Sequence, residues 1–188
     1  MWFAIHSVIV EGSSFMPNKN AAKFLFGVED KVVYPTHGVG RVMGVETQTI
    51  GGMELTTYVV NFEKDRMTLR IPVDRAIQTG LRCLSNGDEL ERVRSTLKGR
   101  ARTSRGMWSR RAKEYETKIN SGNLVSIAEV VRDLHKNVDD PDRSYSERII
   151  YENALNRLAG EFAAVKDMDH EKATKYLVKA MTREEVAA

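Results

Sequence analysis

Between residues 31 and 73 the chain alternates apolar and polar positions at a period of two, and the alternation is cut at short intervals by turn-forming residues. "KVVY" stops at Pro35, "HGVG" supplies a glycine turn, and "RVMGVETQT" alternates up to "IGGM", which reads as a hairpin turn. "LTTYVVNF" is a strong strand, "EKDR" a polar turn and "MTLRIPV" a further strand. Four or five short strands in so few residues bury a common face only by curling, so a small SH3-like or Tudor-like barrel is expected.

Beyond residue 84 the period becomes helical. Leu90, Val93 and Leu97 fall on one face, with Asn86 or Asp88 as cap and Gly99 as stop. "WSRRAKEYETKINSG" reads as a helix that ends at Gly122, and Ile127, Val130, Val131 and Leu134 share a face of the next one. After the break at "DDPDR", Ser144 and Glu147 have the spacing of a capping box opening a long helix, and "HEKATKYLVKAM" is the last. The fold class is therefore α+β: a β-barrel over residues 28–84 and an all-helical domain over 85–188, with residues 1–27 as an extension. Met16 lies in that extension and is read as an alternative start, which a natural protein beginning at Met1 would exclude.

Charge sharpens this division. Residues 28–84 carry seven acids and seven bases, and residues 124–188 thirteen acids and ten bases. Residues 92–113 carry nine Lys or Arg and no acid, so the net charge of +3 comes from one block. A cationic block between near-neutral segments is a footprint for a polyanion. Trp108, one of two tryptophans, lies inside it, just before Arg110 and Arg111. Two readings follow. Trp108 is a wedge against an unstacked base step, where phosphates hold the cations and stacking contributes about 1–3 kcal/mol, or it is a hydrophobic staple that closes its own helix on the core.

Little else in the sequence has a chemical reading. His6, His37, His135 and His170 are scattered without metal-ligand spacing, and neither a nucleophile-elbow nor a Walker pattern occurs. No enzyme, metal or cofactor is expected. The lone Cys83 allows no internal disulfide and fits a reducing compartment such as the cytoplasm. The opening "MWFAIHSVIV" is too short to span a bilayer.

"DKVVYPTHGVGRV", "TLRIPVDRA" and "MWSRRAKEYETKINSGNLVSIAEVVRDLH", in this order, resemble successive signatures of the CarD/CdnL family of bacterial transcription regulators over about residues 28–181. The first is shared with the polymerase-binding domain of transcription-repair coupling factors; the third is much narrower. The resemblance implies a Tudor-like domain that docks on the RNA polymerase β subunit and a helical domain that touches promoter DNA in the minor groove and at phosphates. By the same match, Trp108 wedges at the upstream edge of the melted region and Arg110, Arg111 and Lys113 hold phosphates, with Arg132 and Arg148 as further contributors. On the barrel, Arg70 matches a polymerase-contacting residue, with Gln48, Thr49 and Ile50 beside it. Gln48 departs from the basic residue some relatives carry, which suggests a less charge-dependent interface.

The expected function is that of a monomeric regulator that stabilises the open promoter complex without reading sequence. A free-standing, non-specific nucleic-acid binder would use the same basic block without polymerase, and a Tudor-like peptide reader would need an aromatic cage from Tyr34, Tyr58 and Phe62.

Overall fold

The computed structural model describes residues 24–102, 106–135, 138, 140 and 143–182. The candidate start at Met16 and the first 23 residues lie outside the described residues, as does Arg105 of the basic block. Five strands come first: β1 (Lys31–Tyr34), β2 (Gly38–Ile50), β3 (Met53–Phe62), β4 (Met67–Pro72) and β5 (Arg82–Cys83). Five helices follow: α1 (Gly87–Lys98), α2 (Trp108–Asn120), α3 (Leu124–His135), α4 (Tyr145–Lys166) and α5 (His170–Thr182).

The strands form one antiparallel sheet in the order β4-β3-β2-β1-β5. Its longest hairpin, β2–β3, is closed by Gly51 and Gly52, both with positive φ (60° and 84°), as a two-residue turn matched to strand twist requires. The register slips once, between Val42 and Gly44, and this bulge leaves Met43 exposed. The distal half of the hairpin, residues 47–54, is exposed and extends away from the packed part of the sheet.

Phe26, Val32, Val42, Tyr58, Val60, Phe62, Ile71 and Leu81 make the barrel core. This core reaches back to Phe26, ahead of the expected start at residue 28, because the Phe26 ring meets Tyr58 edge-on at 5.5 Å. Tyr58 and Phe62 are sealed inside, each 1% exposed, so they offer no faces to a cationic peptide, and the peptide-reader alternative loses its cage.

The helices enclose a second core. Leu90, Val93 and Leu97 of α1 meet Ile127, Val130, Val131 and Leu134 of α3, with Ala154, Leu158 and Phe162 of α4 and Leu177 of α5. Of the two candidate caps for α1, Asn86 is used: its side chain accepts from Glu89 N at 2.9 Å, and the Glu89 carboxylate accepts from Asn86 N at 3.2 Å. Ser144 Oγ caps α4 by accepting from Glu147 N at 3.2 Å. The two halves are joined by partly buried polar contacts. Arg82 of β5 donates to both oxygens of Glu161 on α4, at 2.6 and 2.9 Å, and to the Gly122 carbonyl at 2.6 Å. Arg157 of α4 donates to the carbonyls of Pro35 and Thr36 in the β1–β2 turn.

Candidate nucleic-acid interface

Trp108 is the first residue of α2, after Met107, whose side chain makes no capping bond. The first turn of α2 has no acid and carries Arg110 and Arg111, so the side-chain charge and the unpaired N–H groups of the helix start have the same positive sign. The indole is half-buried against the helical core. Its Nε1–H donates to Ser146 Oγ at 2.8 Å, which draws the first turn of α4 against that of α2.

Arg111 completes the mount. Its guanidinium lies 5.5 Å from the Trp108 ring centroid and 6.0 Å from that of Tyr115, in cation–π range. Its buried Nε has no hydrogen-bond partner. Arg110 is exposed and rests against Gly106, and Lys113 is exposed one turn along. The contacts a staple needs are therefore made, while part of the indole remains at the surface among cations.

Arg148 is exposed on the first turns of α4, close in sequence to Ser146. Its sequence neighbour Glu147 is buried and lies 3.9 Å from Arg143. Arg132 does not join this surface. Its side chain is only 10% exposed and is held by Asp133 at 2.8 Å, while Asp133 Oδ1 also accepts from Arg102 N at 2.9 Å. Asp133, paired with Arg132, thus anchors the α1–α2 loop on α3, and Arg132 takes an inward role that its sequence position did not reveal.

Two residues missed in the sequence belong beside Trp108. Met107 precedes it and Tyr145 precedes Ser146, and each is 77% exposed. An exposed apolar edge this large next to cations suits contact with a flat, anionic partner. No local pattern could have found Tyr145, because the Trp108–Ser146 bond spans 38 residues.

On the barrel, Arg70 lies on β4, an outer strand of the sheet, and its Nε donates to Glu46 at 2.9 Å. Glu46, Gln48 and Ile50 alternate onto one face of β2, and Thr49 takes the opposite one. Gln48, Thr49 and Ile50 are all exposed. Ile50 pairs with Met53, and these are 56% and 75% exposed, so the hairpin tip is apolar.

Electrostatics fix the helices behind Trp108. Lys118 of α2 donates to Glu129 of α3 at 2.8 Å, and this bond holds the Glu129 carboxyl below the usual carboxylate range against the opposing effect of burial. Tyr151, which bonds His135 at 2.9 Å, is pushed up to about 12 by burial, with nearby Arg143 acting the other way. Among the described residues, no helix is long and apolar enough to cross a membrane, and no group of three or more His, Cys, Asp or Glu could hold a metal.

Comparison with known proteins finds a family match in each half. The CarD-like/TRCF RID domain matches residues 26–84, and the CarD C-terminal domain matches residues 92–178. The putative transcription factor YdeB of Bacillus subtilis (strain 168) is 26% identical over 142 residues, 76% of this chain and 93% of that protein. The solution structure of the 72-residue N-terminal domain of Myxococcus xanthus CarD is 31% identical, covers 31% of this chain and 77% of that one, and has a TM-score of 0.27. With a Tudor-like barrel and a helical domain matched in order to the two halves of one family, the chain belongs to the CarD/CdnL family of transcription factors.

Proposed function

We propose that this protein docks on the RNA polymerase β subunit through its barrel and stabilises the open promoter complex through its helical domain. The observation that carries this reading is the mounting of Trp108: half-exposed at a cationic helix start, held by Ser146 and overlaid by Arg111. Arg110, Lys113 and Arg148 are exposed for phosphates, and Arg70 with Gln48, Thr49 and Ile50 forms the polymerase side. Arg132 supports the surface from below.

The mechanism is a shift of populations. A ring that fits only a distorted or opened junction favours the open complex by its differential affinity for the two states, without reading bases. A difference of about 1.4 kcal/mol changes the ratio tenfold. Tethering to polymerase raises the local concentration of the helical domain at the DNA, so individually weak phosphate contacts suffice.

The test is the lifetime of open complexes on a ribosomal-RNA promoter with the cognate polymerase. Wild type is expected to lengthen it and a folded Trp108→Ala variant to lose most of that effect. Equal lifetimes with both proteins would leave Trp108 as a staple alone. Retention on immobilised polymerase supplies the second arm, in which Arg70→Glu is expected to weaken binding and Trp108→Ala to leave it intact.

A further inference from the structure

The junction between barrel and helices forms a half-open cleft of about 250 Å³, lined by Lys31, His37, Arg41, Lys64, Arg157 and His170 and by one acid, Glu63. Glu29 and Asp167 lie outside that lining but pair with Arg41 at 3.1 Å and Lys31 at 3.7 Å, and Glu63 lies 3.9 Å from Arg41; the carboxylates of Asp167, Glu63 and Glu29 are 99%, 76% and 64% exposed. His37 is paired with Asp65 at 3.0 Å. Lys64 and Arg157 differ from these. Among the described residues the Lys64 ammonium has no hydrogen bond or ion pair, and the Arg157 guanidinium donates to the neutral carbonyls of Pro35 and Thr36. Partial burial lowers the proton affinity of both against the pull of Asp65, and Arg157 lowers that of Lys64 further, so a negative charge between them would be welcome.

Gly160 is an independent sign. It sits in the interior of α4, where glycine is less favourable than alanine, yet a methyl group built on it would meet nothing within 4 Å. Packing inside the protein gives no reason for glycine here. Arg157, Gly160 and Ala164 follow one another at helical spacing and all line the cavity, so the glycine keeps its floor clear directly beside a guanidinium.

We propose that this cleft is a binding site for a diphosphate group, seated over Gly160 between Lys64 and Arg157. The donor set is suited to phosphate oxygens, which guanidinium and ammonium groups recognise together. The cleft has room for a diphosphate, and the two cationic side chains in its wall match the two phosphoryl groups. The group could arrive as inorganic diphosphate or as the tail of a nucleoside diphosphate whose remainder lies at the mouth.

Isothermal titration of the full chain at fixed ionic strength, with thermal unfolding alongside, tests this. Saturable one-to-one binding of inorganic diphosphate and a raised Tm are expected, with acetate at equal ionic strength giving neither. Lys64→Gln is expected to weaken binding at least tenfold. Gly160→Ala is expected to do the same while leaving the Tm of the free protein equal or higher, which separates an obstructed site from a damaged fold. Lys175→Gln, exposed on α5 away from the cavity, is expected to bind as wild type does. A nucleoside diphosphate that binds equally marks the diphosphate alone as the ligand, and one that binds more tightly places the nucleoside at the mouth; either supports the site. The proposal is overturned if neither anion binds saturably, if acetate competes equally, or if a folded Gly160→Ala protein keeps wild-type affinity.

Discussion

The Trp108 side chain makes the contacts of a staple and leaves part of its ring at the surface, where the proposed wedge would act. Its apolar edge closes α2 on the core and its Nε1–H is tied to Ser146, while the rest of the ring stays at the surface. Both were legible in part: a tryptophan among arginines at a helix start points to a staple and to a wedge alike, and only the distant Ser146 decides how the ring is oriented. Arg132 illustrates the opposite case, because an arginine on a polar helix face looks solvent-directed until Asp133 and the α1–α2 loop fold over it. Ser146→Ala deletes the acceptor of the indole bond. A net hydrogen bond contributes about 1 kcal/mol, and water can replace this one in part, so urea denaturation is expected to show a loss of about 0.5–1 kcal/mol. Since the bond also orients the ring, the variant is expected to lose part of the gain in open-complex lifetime; an unchanged lifetime would restrict Ser146 to a structural role.

At the level of elements, strong patterns were readable and weak ones were not. The β2–β3 hairpin was announced by its two glycines, and α1 by Leu90, Val93 and Leu97 with Asn86 as one of two candidate caps, because those residues satisfy local geometry within a few positions. β5 was invisible: two residues carry no periodicity, and Arg82–Cys83 becomes a strand only by pairing with β1. The α2–α3 pair behind Trp108 depends in addition on a titratable contact. Lys118 keeps the Glu129 carboxyl below its ordinary range, so the folded state binds that proton more weakly than the unfolded chain does. The contribution is complete above the unfolded value of about 4.3 and is lost as pH falls through the lower folded value. Glu129→Gln is therefore expected to be less stable than wild type at pH 7 and to converge with it as the pH falls through the lowered carboxyl range. A constant difference across that range, measured by urea unfolding at each pH, would show that the carboxylate charge is not what links these helices.

Across the whole molecule, the distance between the Arg70 face and Trp108 is set by the junction, and the centre of the junction is Glu161. Its side chain is 4% exposed and accepts from Arg82 twice and from Ser85 N at 3.0 Å. In the sequence, "ALNRLAGEFAAV" reads as a plain core stripe, since nothing local tells that its Arg157 and Glu161 face the barrel rather than water. A buried pair of this kind is weak evidence of net stabilisation, but removing one partner is costly because the other charge remains enclosed, by about 3–5 kcal/mol. Glu161→Ala leaves the Ser85 N–H without its acceptor, while Arg82, a third exposed, keeps the Gly122 carbonyl, so a loss at the lower end of that range, about 3 kcal/mol, is expected in urea unfolding. Each half has its own apolar core, so the loss should fall on the junction first, dividing a single cooperative transition into two. Under the proposed function such a variant still binds polymerase through its intact barrel, yet presents Trp108 at no fixed position, and the gain in open-complex lifetime is expected to disappear. A single transition shifted by less than about 1 kcal/mol, with the lifetime gain preserved, would mean that a flexible tether serves as well as the clamp.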